Sequence, residues 1–596
     1  MNLQHRSEKK WLLQQLPENV SQEYLSNIAQ NLDISEKIVK ILLLRGISGR
    51  QNINDFLNPS LDQLPRPHLM KGMPEAVKIL LETLKSGRPV TVYGDFDADG
   101  VTSTAVLSLF FTELDMVSRY YIPDRLTEGY GLNLEAVKKI FENNTKQWGE
   151  PGILITVDCG ISDKEVIDKA KKLGFTVIIT DHHKPPEKLP AADAIINPLQ
   201  PGCGFPCKDL AGVGVVFYLI LGLRSELMEN CHWPENKIPN LKSYMDLVAI
   251  GTVADQVPIT GCNRIIVKAG LEILKQGNRI GIQKLLAATK GHKSTVTTED
   301  IAFCIAPRIN AIGRMDSAFK AVKLLRTHSH ADAEKLANEL ENANNERKNI
   351  EACTFDDAVH MISSDILKKT NSLLLYKNDW HQGVLGIVAS RLTDKYNRPA
   401  ILLTDCIPKD TSETKTLVKG SGRSVDGIDI HQAVFTCRDM LERFGGHEGA
   451  VGLTLPKENI ASLRMEFDRI IGEQRVDENL LSTIIIDEEI SLEELLDDRF
   501  ISSYNLLAPF GSGNPDPVFR MKEQKLTNSR LVGNNHLRFT IMDKGKSMNG
   551  IGFGFGDFIH DTQKSLMDIA FVLKLNSYMG QEKWEIRLIA LRPANP

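Results

Sequence analysis

The sequence predicts a multidomain protein with two α/β domains, a long helix between them and an all-β barrel at the C-terminal end. Between residues 85 and 180, short apolar segments alternate with amphipathic segments, which is typical of a parallel sheet covered by helices on both faces. After residue 483, five or six strand-length segments follow one another, which favours a small barrel. The length of 596 residues accommodates three or four domains at roughly 100–200 residues each.

The predicted units follow one another in a fixed order along the chain. Residues 1–75 contain short helical patterns and turns, which predict an N-terminal helical cap. Residues 76–328 contain the doubly wound parallel sheet, and residues 329–365 carry one helical pattern without Gly or Pro, which predicts a connecting helix. A second α/β domain is predicted over residues 366–475 and the barrel over residues 483–596.

Alternating elements justify the doubly wound sheet of the first α/β domain. The predicted strands are residues 90–93, 118–122, 153–157 and 176–180. The helices predicted between them are residues 101–114, 134–141 and 163–173. Because each strand is apolar throughout, we expect both faces of this sheet to be buried.

Composition and charge exclude several classes of protein. With 42% hydrophobic and 25% charged residues, the chain is globular rather than disordered, collagenous or a disulfide scaffold. The apolar run over residues 211–223 is shorter than the roughly 20 residues of a membrane span, so it predicts a buried helix. The first residues show no apolar signal region, so we expect a cytoplasmic protein without membrane association. The net charge of −5 indicates no global basic field, so any nucleic-acid contact must come from local features.

The cysteines predict a reducing compartment. Their number, nine, is odd and their spacing is scattered, so we expect free thiols. One zinc set remains as an alternative despite its irregular spacing, and its members are Cys203, Cys207, Cys231 and His232.

Acidic and imidazole side chains follow three of the predicted strands. They are Asp95, Asp97 and Asp99 after the first strand, Asp158 after the third, and Asp181, His182 and His183 after the fourth, with Asp255 after a later apolar run. Because the carboxyl ends of parallel strands meet at one edge of a sheet, we expect these groups to lie together. Any single Asp also fits a helix cap or a turn, but clustered carboxylates require a compensating cation. Mixed Asp and His ligands favour Mn²⁺ or Mg²⁺, with room for two ions.

The first of these acidic segments also resembles the start of a calcium-binding EF-hand loop. An EF-hand requires Glu at its twelfth position, where this sequence has Val106 within an apolar helix. The sequence therefore excludes an EF-hand.

At these residues the chain resembles the DHH phosphoesterase superfamily, which is named after the triplet at Asp181–His183. Within the superfamily it is most similar to the bacterial RecJ family of single-stranded-DNA-specific exonucleases. The similarity extends over nearly the whole chain, because the following segments occur in family order: VYGDFDADGVTSTA, TVDCG, TDHH, LAGVGVVF, GTVADQVP, APRINAIGR, WHQGVLGIVASRL, SGRS, GGHEGA and LAPFGSGNPDPVF. The resemblance implies a DHH domain, a DHHA1 domain and a C-terminal OB-like domain.

The resemblance also implies roles for the clustered residues. Two Mn²⁺ or Mg²⁺ ions are expected at Asp97, Asp99, Asp158, His182 and Asp255, with Asp158 as the bridging carboxylate. Shorter relatives have a histidine ligand near the position of Asp95. Asp95 is therefore either a direct metal ligand or a catalytic residue that contacts the ligands without binding the metal. His183 is expected close to the scissile phosphate as a catalytic residue.

A 5′-phosphate and backbone pocket is the second implied site. Its expected residues are Arg125, Arg308, Arg314, Ser421, Arg423, His447 and His381. A guanidinium group binds phosphate through two parallel hydrogen bonds, and glycines near His447 allow backbone N–H groups to approach phosphate. Taken alone, each arginine also fits a surface ion pair, and the GGH segment also fits a tight turn.

Charge is segregated in the C-terminal domain. Residues 487–498 hold seven acids and no base, whereas residues 520–546 hold seven bases and two acids. Together with Phe519 and Phe539, the basic segment predicts a groove that follows a nucleic-acid backbone and stacks bases. The alternative is a solvated charged hairpin.

The expected function is a metal-dependent 5′→3′ exonuclease that converts single-stranded DNA to 5′-mononucleotides in DNA repair and recombination. The alternatives are a phosphodiesterase for short oligonucleotides or cyclic dinucleotides, and a scaffold that binds single strands without catalysis. The resemblance implies single-stranded-DNA-binding protein and a RecQ-type helicase as partners. We expect a monomer in the cytoplasm, associated with the nucleoid.

Overall fold

A computed structural model describes residues 10–125, 128–129, 131–230, 233–234, 237–289, 296–406, 416–474, 483–578 and 581–594. The chain divides into two units. One contains Trp11–Glu341 together with Ile484–Pro596, and the other contains Asn342–Thr483.

The first unit contains the predicted parallel sheet. Its strand order is Ser118–Tyr121, Val90–Gly94, Ile153–Val157, Thr176–Thr180 and Ala194–Ile196. All neighbouring strands are parallel, which confirms the prediction and adds the last strand to it. From Val90–Gly94 the chain goes first to one neighbouring strand and then to Ile153–Val157 on the other side. The direction in which strands are added to the sheet therefore reverses between Val90–Gly94 and Ile153–Val157. In open parallel sheets, ligands bind at such a switch point.

Helices cover both faces of this sheet. Leu134–Trp148 and Lys164–Lys172 share a hydrophobic core with one face, and Ala98–Glu113 and Gly212–Glu229 pack on the other. The first of these helices extends beyond its predicted end at residue 141, because buried Asn144 donates to Thr91 Oγ1 (3.1 Å) and to a backbone carbonyl (2.7 Å). The remaining helices of this region are Met73–Ser86, Met245–Ala254, Gly261–Gln276, Ile280–Ala287, Ala306–Met315 and Phe319–Arg326, with a π-helical turn at Ile301–Ile305.

The N-terminal segment packs against the C-terminal domain. Its helices are Gln22–Leu32, Glu36–Leu44 and Arg50–Leu57, and their apolar faces share one hydrophobic core with residues 490–591. A short strand that the sequence did not predict, Trp11–Leu13, pairs in parallel with Ile484–Ile486. The two ends of the chain therefore fold together.

The C-terminal domain contains a larger sheet than predicted, which we call the C-terminal sheet. Seven strands appear among its described residues, in the order Glu488–Glu489, Phe519–Gln524, Met567–Tyr578, Gln581–Pro593, Lys546–Gly552, His536–Asp543 and Leu526–Val532. The prediction of an all-β domain is incomplete, because the helices Leu492–Leu495, Asp498–Leu507 and Ile559–Lys564 also lie here. A capping box between Ser491 and Glu494 begins the first of these helices.

The second unit contains a mixed sheet. Its strand order is Arg443–His447, Ala450–Pro456, Leu417–Arg423, Ala400–Asp405 and Leu373–Tyr376. Its helices after residue 361 are Ser364–Lys369, Leu385–Tyr396, Ile430–Thr436 and Ile460–Gln474. The predicted long helix is present as His330–Met361, with 32 residues.

Two cysteines contradict the expectation of free thiols. Cys207 and Cys262 form a disulfide with 6.2 Å between their Cα atoms, because folding brings together residues that are 55 positions apart. The bond removes Cys207 from the alternative zinc set, while Cys203 is a free thiol and Cys231 and His232 lie outside the described residues. Within the described ranges, no helix has both the length and the apolar character that a membrane crossing needs.

Candidate active site

The loop after the first strand of the parallel sheet is held in a tight conformation. Asp97 is the N-cap of helix Ala98–Glu113, and its side chain accepts a hydrogen bond from the Gly100 N–H at 3.0 Å. A Cβ atom at Gly100 would lie 2.6 Å from the Asp95 carbonyl oxygen, so the loop requires glycine there. Asn310 Oδ1 accepts from the Ala98 N–H at 2.7 Å. No sequence pattern indicated this role for Asn310, which comes from a helix more than 200 residues later.

The predicted ligands converge at the carboxyl edge of the parallel sheet. Within each of three overlapping groups, the potential ligand atoms lie within 4.8 Å of one another. The groups are Asp95, Asp97 and Asp158; Asp99, His182 and Asp255; and Asp158, His182 and His183. Because Asp158 and His182 each belong to two groups, the arrangement has room for more than one ion, and we call it the carboxylate cluster.

A helix N-terminus orients Asp99 within the carboxylate cluster. Its two carboxylate oxygens accept from the N–H groups of Gly212 (2.6 Å) and Val213 (2.8 Å), at the start of helix Gly212–Glu229. A Cβ atom at Gly212 would lie 2.7 Å from Asp158 Oδ1, so only glycine fits between the two carboxylates. Gly212 and Val213 belong to the LAGVGVVF segment that the sequence analysis noted. Their contact with Asp99 could not be read from the sequence, because the two segments lie more than 110 residues apart.

The buried polar atoms of the cluster fit a divalent cation. Asp95 Oδ1, Asp158 Oδ1 and His182 Nε2 are buried without a hydrogen-bond partner. His182 Nε2 lies 3.2 Å from Asp158 Oδ1 and 3.7 Å from Asp255 Oδ2. A buried polar group without a partner costs about 1–3 kcal/mol, and a cation coordinated by these atoms would remove that cost. The residues present therefore fit Mn²⁺ or Mg²⁺.

The protonation of the cluster also depends on a compensating charge. Burial and neighbouring carboxylates raise the pKa of Asp95, Asp99 and Asp158 well above the usual range. Burial and Asp97 raise the pKa of Asp255 to about 7. Burial and the adjacent His183 lower the pKa of His182 to about 4, so its imidazole is neutral, as a metal ligand must be.

Asp181 holds His183 in place. Its Oδ1 atom contacts His183 Nδ1 at 2.8 Å and accepts from the His183 N–H, while its Oδ2 atom accepts from the Ile161 N–H. Burial opposes the charged imidazole, but the hydrogen bond and the charge of Asp181 outweigh it and raise the pKa of His183 to about 9. Asp181 therefore orients the imidazole of His183 and favours its protonated form.

The three arginines predicted near the first sheet have different surroundings. The Arg125 guanidinium lies 4.8 Å above the Phe96 ring, and its charge opposes the rise in the pKa of Asp95, so Arg125 borders the carboxylate cluster. Arg308 is only 6% exposed and binds the Glu341 carboxylate and a backbone carbonyl. Arg314 is partly buried on the same helix as Arg308. The structure thus brings Arg125 to the cluster and places Arg308 in an internal ion pair.

Predicted phosphate-binding residues of the second unit lie on one face of the mixed sheet. Residues that pair across antiparallel strands point to the same face. Three rows cross the strands in this way: Arg443, Thr454 and Lys419; Gly445, Gly452 and Ser421; and His447, Ala450 and Arg423. Small residues fill the middle of this face and cationic residues flank it. We call these nine residues the basic floor.

A helix N-terminus adjoins the basic floor. A Cβ atom at Gly386, in the first turn of helix Leu385–Tyr396, would lie 2.9 Å from Ser421 Oγ and 3.0 Å from Arg423 Nη2. His381 precedes the same helix, and its Nδ1 atom accepts from the Gly383 N–H at 3.1 Å. Helix N-termini favour anions, so the surroundings of Ser421 and Arg423 suit a phosphate.

The two phenylalanines expected to stack bases cannot do so. Phe519 is 0% exposed and Phe539 is 1% exposed, because both belong to the core under the C-terminal sheet. The sequence placed them correctly in strands but did not show which face of each strand is buried.

Other aromatic residues line a groove between the C-terminal sheet and the helical segment of residues 253–310. Its volume is about 1300 Å³, and its lining includes Phe303, Phe553, Trp584, Arg538 and Arg587. A second cavity of about 440 Å³ shares Arg538 and Trp584 with it and adds Arg530 and Lys583. The groove also reaches Asn310 and both neighbours of Asp255. The lining also contains acids, among them Glu299, Glu582 and Glu585. An aromatic groove with charges of both signs therefore extends to the residues around the carboxylate cluster.

Comparison with known proteins agrees with these domains. The description "DHH family, N-terminal domain" matches residues 89–252, "DHHA1 domain" matches residues 369–473, and "RecJ OB domain" matches residues 486–590. The three matches correspond to the parallel sheet, the mixed sheet and the C-terminal sheet.

Two curated relatives and one solved structure extend the similarity over most of the chain. Single-stranded-DNA-specific exonuclease RecJ of Bacillus subtilis is 34% identical over 98% of this chain and 70% of the relative. The Escherichia coli protein of the same name is 35% identical over 87% of this chain and 89% of the relative. The crystal structure of RecJ in complex with Mn²⁺ from Thermus thermophilus has a TM-score of 0.78 and 28% identity, and covers 98% of this chain and 80% of that one. The chain belongs to the RecJ family.

Proposed function

We propose that the protein is a metal-dependent exonuclease that degrades single-stranded DNA from the 5′ end and releases 5′-mononucleotides. The carboxylate cluster carries this proposal, because its ligand atoms form three overlapping groups, two of which contain Asp158, and the buried Asp158 Oδ1 atom accepts no hydrogen bond. The relatives named single-stranded-DNA-specific exonuclease support the substrate.

Each residue of the carboxylate cluster has a part in the proposed hydrolysis. The ligands are Asp97, Asp99, Asp158, His182 and Asp255, and Asp95 is a ligand or an outer acid. Two bound Mn²⁺ or Mg²⁺ ions would supply a nucleophilic water at neutral pH and stabilise the charge of the phosphate. His183 donates to a phosphate oxygen or to the leaving oxygen, while Asp181 keeps its ring oriented through the contact with Nδ1.

The basic floor is the proposed binding site for the phosphates of the single-stranded DNA. Arg423 and Ser421 supply donors beside the N-terminus of helix Leu385–Tyr396, and His447 and His381 add nearby polar atoms. Arg125 and Arg314 supply further cationic groups on the first unit. Since Arg308 already pairs with Glu341, we assign it to the support of helix Ala306–Met315 rather than to phosphate.

The groove is the proposed path of the single strand. Phe553 and Trp584 offer ring faces for bases, and Arg530 and Lys583 offer charge for the backbone, while Arg538 pairs with Glu585 at 3.5 Å. A path of this size favours a long strand over a dinucleotide, which makes a phosphodiesterase for short substrates the less favoured alternative. The ligand atoms of the cluster argue against a scaffold without catalysis.

The proposed setting is DNA repair and recombination in the cytoplasm, at the nucleoid. Single-stranded-DNA-binding protein and a RecQ-type helicase are the proposed partners, because an exonuclease of this kind needs a separated strand. A monomer suffices, since one chain contains the cluster, the basic floor and the groove.

End-labelled strands test the proposal directly. With a 5′-labelled, 5′-phosphorylated strand and Mn²⁺, labelled mononucleotide should appear at the earliest times, whereas a 3′-labelled strand should yield it only at the end. EDTA should abolish both products and added Mn²⁺ should restore them. Arg423→Ala should reduce the preference for a 5′-phosphate, with Arg438→Ala on the exposed surface as the matched control. Early release of the 3′ label, or activity that survives EDTA, would contradict the proposal.

A further inference from the structure

Arg264 is a buried cation that carbonyl oxygens surround. Only 2% of the residue is exposed. Its Nε atom donates to the Phe56 carbonyl at 2.7 Å, and its Nη atoms donate to the carbonyls of Leu506, Leu507 and Ala508 at 2.9 Å each. Its guanidinium also lies 3.8 Å above the Phe56 ring. One side chain thus contacts both the N-terminal segment and the C-terminal domain.

These carbonyls belong to a helix end that needs donors. Leu506 and Leu507 are the last residues of helix Asp498–Leu507, where carbonyl oxygens have no partner within the helix and the dipole favours a cation. Arg264 belongs to helix Gly261–Gln276, which follows the segment of Asp255. A side chain from the metal-binding domain therefore caps a helix of the C-terminal domain.

The loop after that helix lies directly against the segment that follows Asp255. The Ile259 N–H donates to the Ser512 carbonyl at 2.7 Å. A Cβ atom at Gly511 would lie 2.9 Å from Ile259 Cγ1, and one at Gly513 would lie 2.8 Å from Pro258 Cβ. Glycines are therefore required where the two segments meet. We call residues 506–514 the joint.

The joint also forms part of the groove. Residues from Ala508 to Ser512 line it, and the Phe510 carbonyl accepts from Thr298 Oγ1 at 2.7 Å. The same short segment therefore contacts the Asp255 segment on one side and the proposed path of the strand on the other.

We propose that Arg264 is a positioning residue that fixes the joint, and that the joint keeps the groove in register with the carboxylate cluster. This inference rests on the proposed function. It concerns substrates that are long enough to occupy the groove. Loss of Arg264 should therefore weaken the use of long strands more than the hydrolysis of dinucleotides.

The test compares two substrates in matched variants. Arg264→Met removes the donors, and Arg264→Lys keeps the charge with fewer donors. Lys268→Met is the control, because Lys268 lies one turn later on the same helix and donates its hydrogen bond to the Leu57 carbonyl at 2.8 Å, outside the joint. For a long 5′-phosphorylated strand, Arg264→Met should raise KM about tenfold, the equivalent of about 1.4 kcal/mol. For a 5′-phosphorylated dinucleotide, kcat/KM should change by less than about twofold, and the control should resemble the wild type on both.

Several results would overturn the inference. If kcat/KM falls in parallel on both substrates, Arg264 has only a structural role. If folded Arg264→Met retains the wild-type KM for the long strand, the joint does not position the groove. If Arg264→Met does not fold, the same two criteria apply to Arg264→Lys, with a smaller expected rise in KM.

A binding measurement separates this inference from the proposed function. In EDTA, the affinity for a fluorescent long strand should be lower in Arg264→Met than in Lys268→Met. If the wild type hydrolyses neither substrate, the proposed function is wrong, while unequal affinities in EDTA would still support the joint. Equal affinities of Arg264→Met and Lys268→Met for the long strand would contradict the proposed role of the joint, whichever substrates the wild type hydrolyses.

Discussion

At the residue scale, Asp158 is the centre of the carboxylate cluster. It belongs to two of the three ligand groups, and its Oδ1 atom is buried without a hydrogen-bond partner. Asp158→Asn keeps the shape of the side chain but removes its charge, so we expect kcat with Mn²⁺ to fall on the order of a thousandfold. Asp332→Asn, at an exposed position in the first turn of helix His330–Met361, is the control. Steady-state kinetics and metal stoichiometry check the prediction, and near-normal activity with two bound ions would refute it.

The raised pKa of Asp255 predicts how pH affects the metal-free protein. Its pKa of about 7 lies above the unfolded value, as does that of His183 at about 9, so the folded state binds more protons than the unfolded state. From pH 6.5 upward the lowered pKa of His182 offsets only part of this difference, so stability should fall as pH rises to 9. Thermal unfolding of the metal-free protein between pH 6.5 and 9 measures this.

Metal should reverse that trend, because coordination takes the place of the bound protons. The increase in Tm on adding Mn²⁺ should grow with pH over the same range. In Asp255→Asn, the fall in Tm without metal should be shallower. A metal-free Tm that does not change with pH in the wild type would show that the cluster is already deprotonated.

The sequence predicted which acids meet, but not which groups support them. Strand ends of a parallel sheet must converge, so the order of strands and helices was enough to place Asp97, Asp158 and His182 together. Asn310 and Gly212 support that edge from segments far along the chain, and no local pattern marks their contacts. Long-range packing therefore limits what sequence reasoning can find around a site.

At the element scale, the sequence predicted the bounds of a strand most accurately where one or both of its faces are apolar. Strands Ile153–Val157 and Thr176–Thr180 begin and end where the sequence indicated, because they are buried on both faces. The strand Trp11–Leu13 and its pairing with Ile484–Ile486 could not be predicted, since a three-residue strand carries little pattern and its partner lies over 470 positions away. The buried faces of Phe519 and Phe539 depend likewise on the register of the C-terminal sheet.

The C-terminal sheet predicts opposite effects for two phenylalanines. Phe553 is 45% exposed and lines the groove, with Arg587 5.3 Å from its ring centroid. Phe553→Ala should weaken binding of a single strand by about 1–3 kcal/mol with little change in Tm. Phe539→Ala should instead lower the free energy of unfolding by about 3–5 kcal/mol. Strand titrations and denaturant unfolding distinguish the two, and the reverse pattern would place base stacking on the buried face.

At the scale of the whole molecule, the net charge of −5 conceals how charge is distributed. Buried carboxylates gather at one edge of the parallel sheet, while basic and acidic side chains alternate along the groove and its extension. The basic ones include Arg530, Arg538, Lys583 and Arg587, and the acidic ones include Glu299, Glu582 and Glu585. The net charge therefore says little about affinity for a nucleic acid, because a bound DNA strand interacts with the charges of its own binding surface.

The shared core of the two chain ends predicts how the molecule responds to truncation. Helices Glu36–Leu44 and Arg50–Leu57 bury their apolar residues against residues 490–591. Removal of residues 484–596 alone should leave that surface exposed and cause aggregation, because a contiguous apolar patch of this kind is unstable in water. Removal of residues 1–58 as well takes away the apolar side chains on both sides of this shared core. The double truncation should therefore stay monomeric and hydrolyse a dinucleotide, but it should lose its preference for long strands. Light scattering and the two-substrate assay check this, and a C-terminal truncation that remains monomeric would show that the N-terminal helices fold independently of the C-terminal sheet.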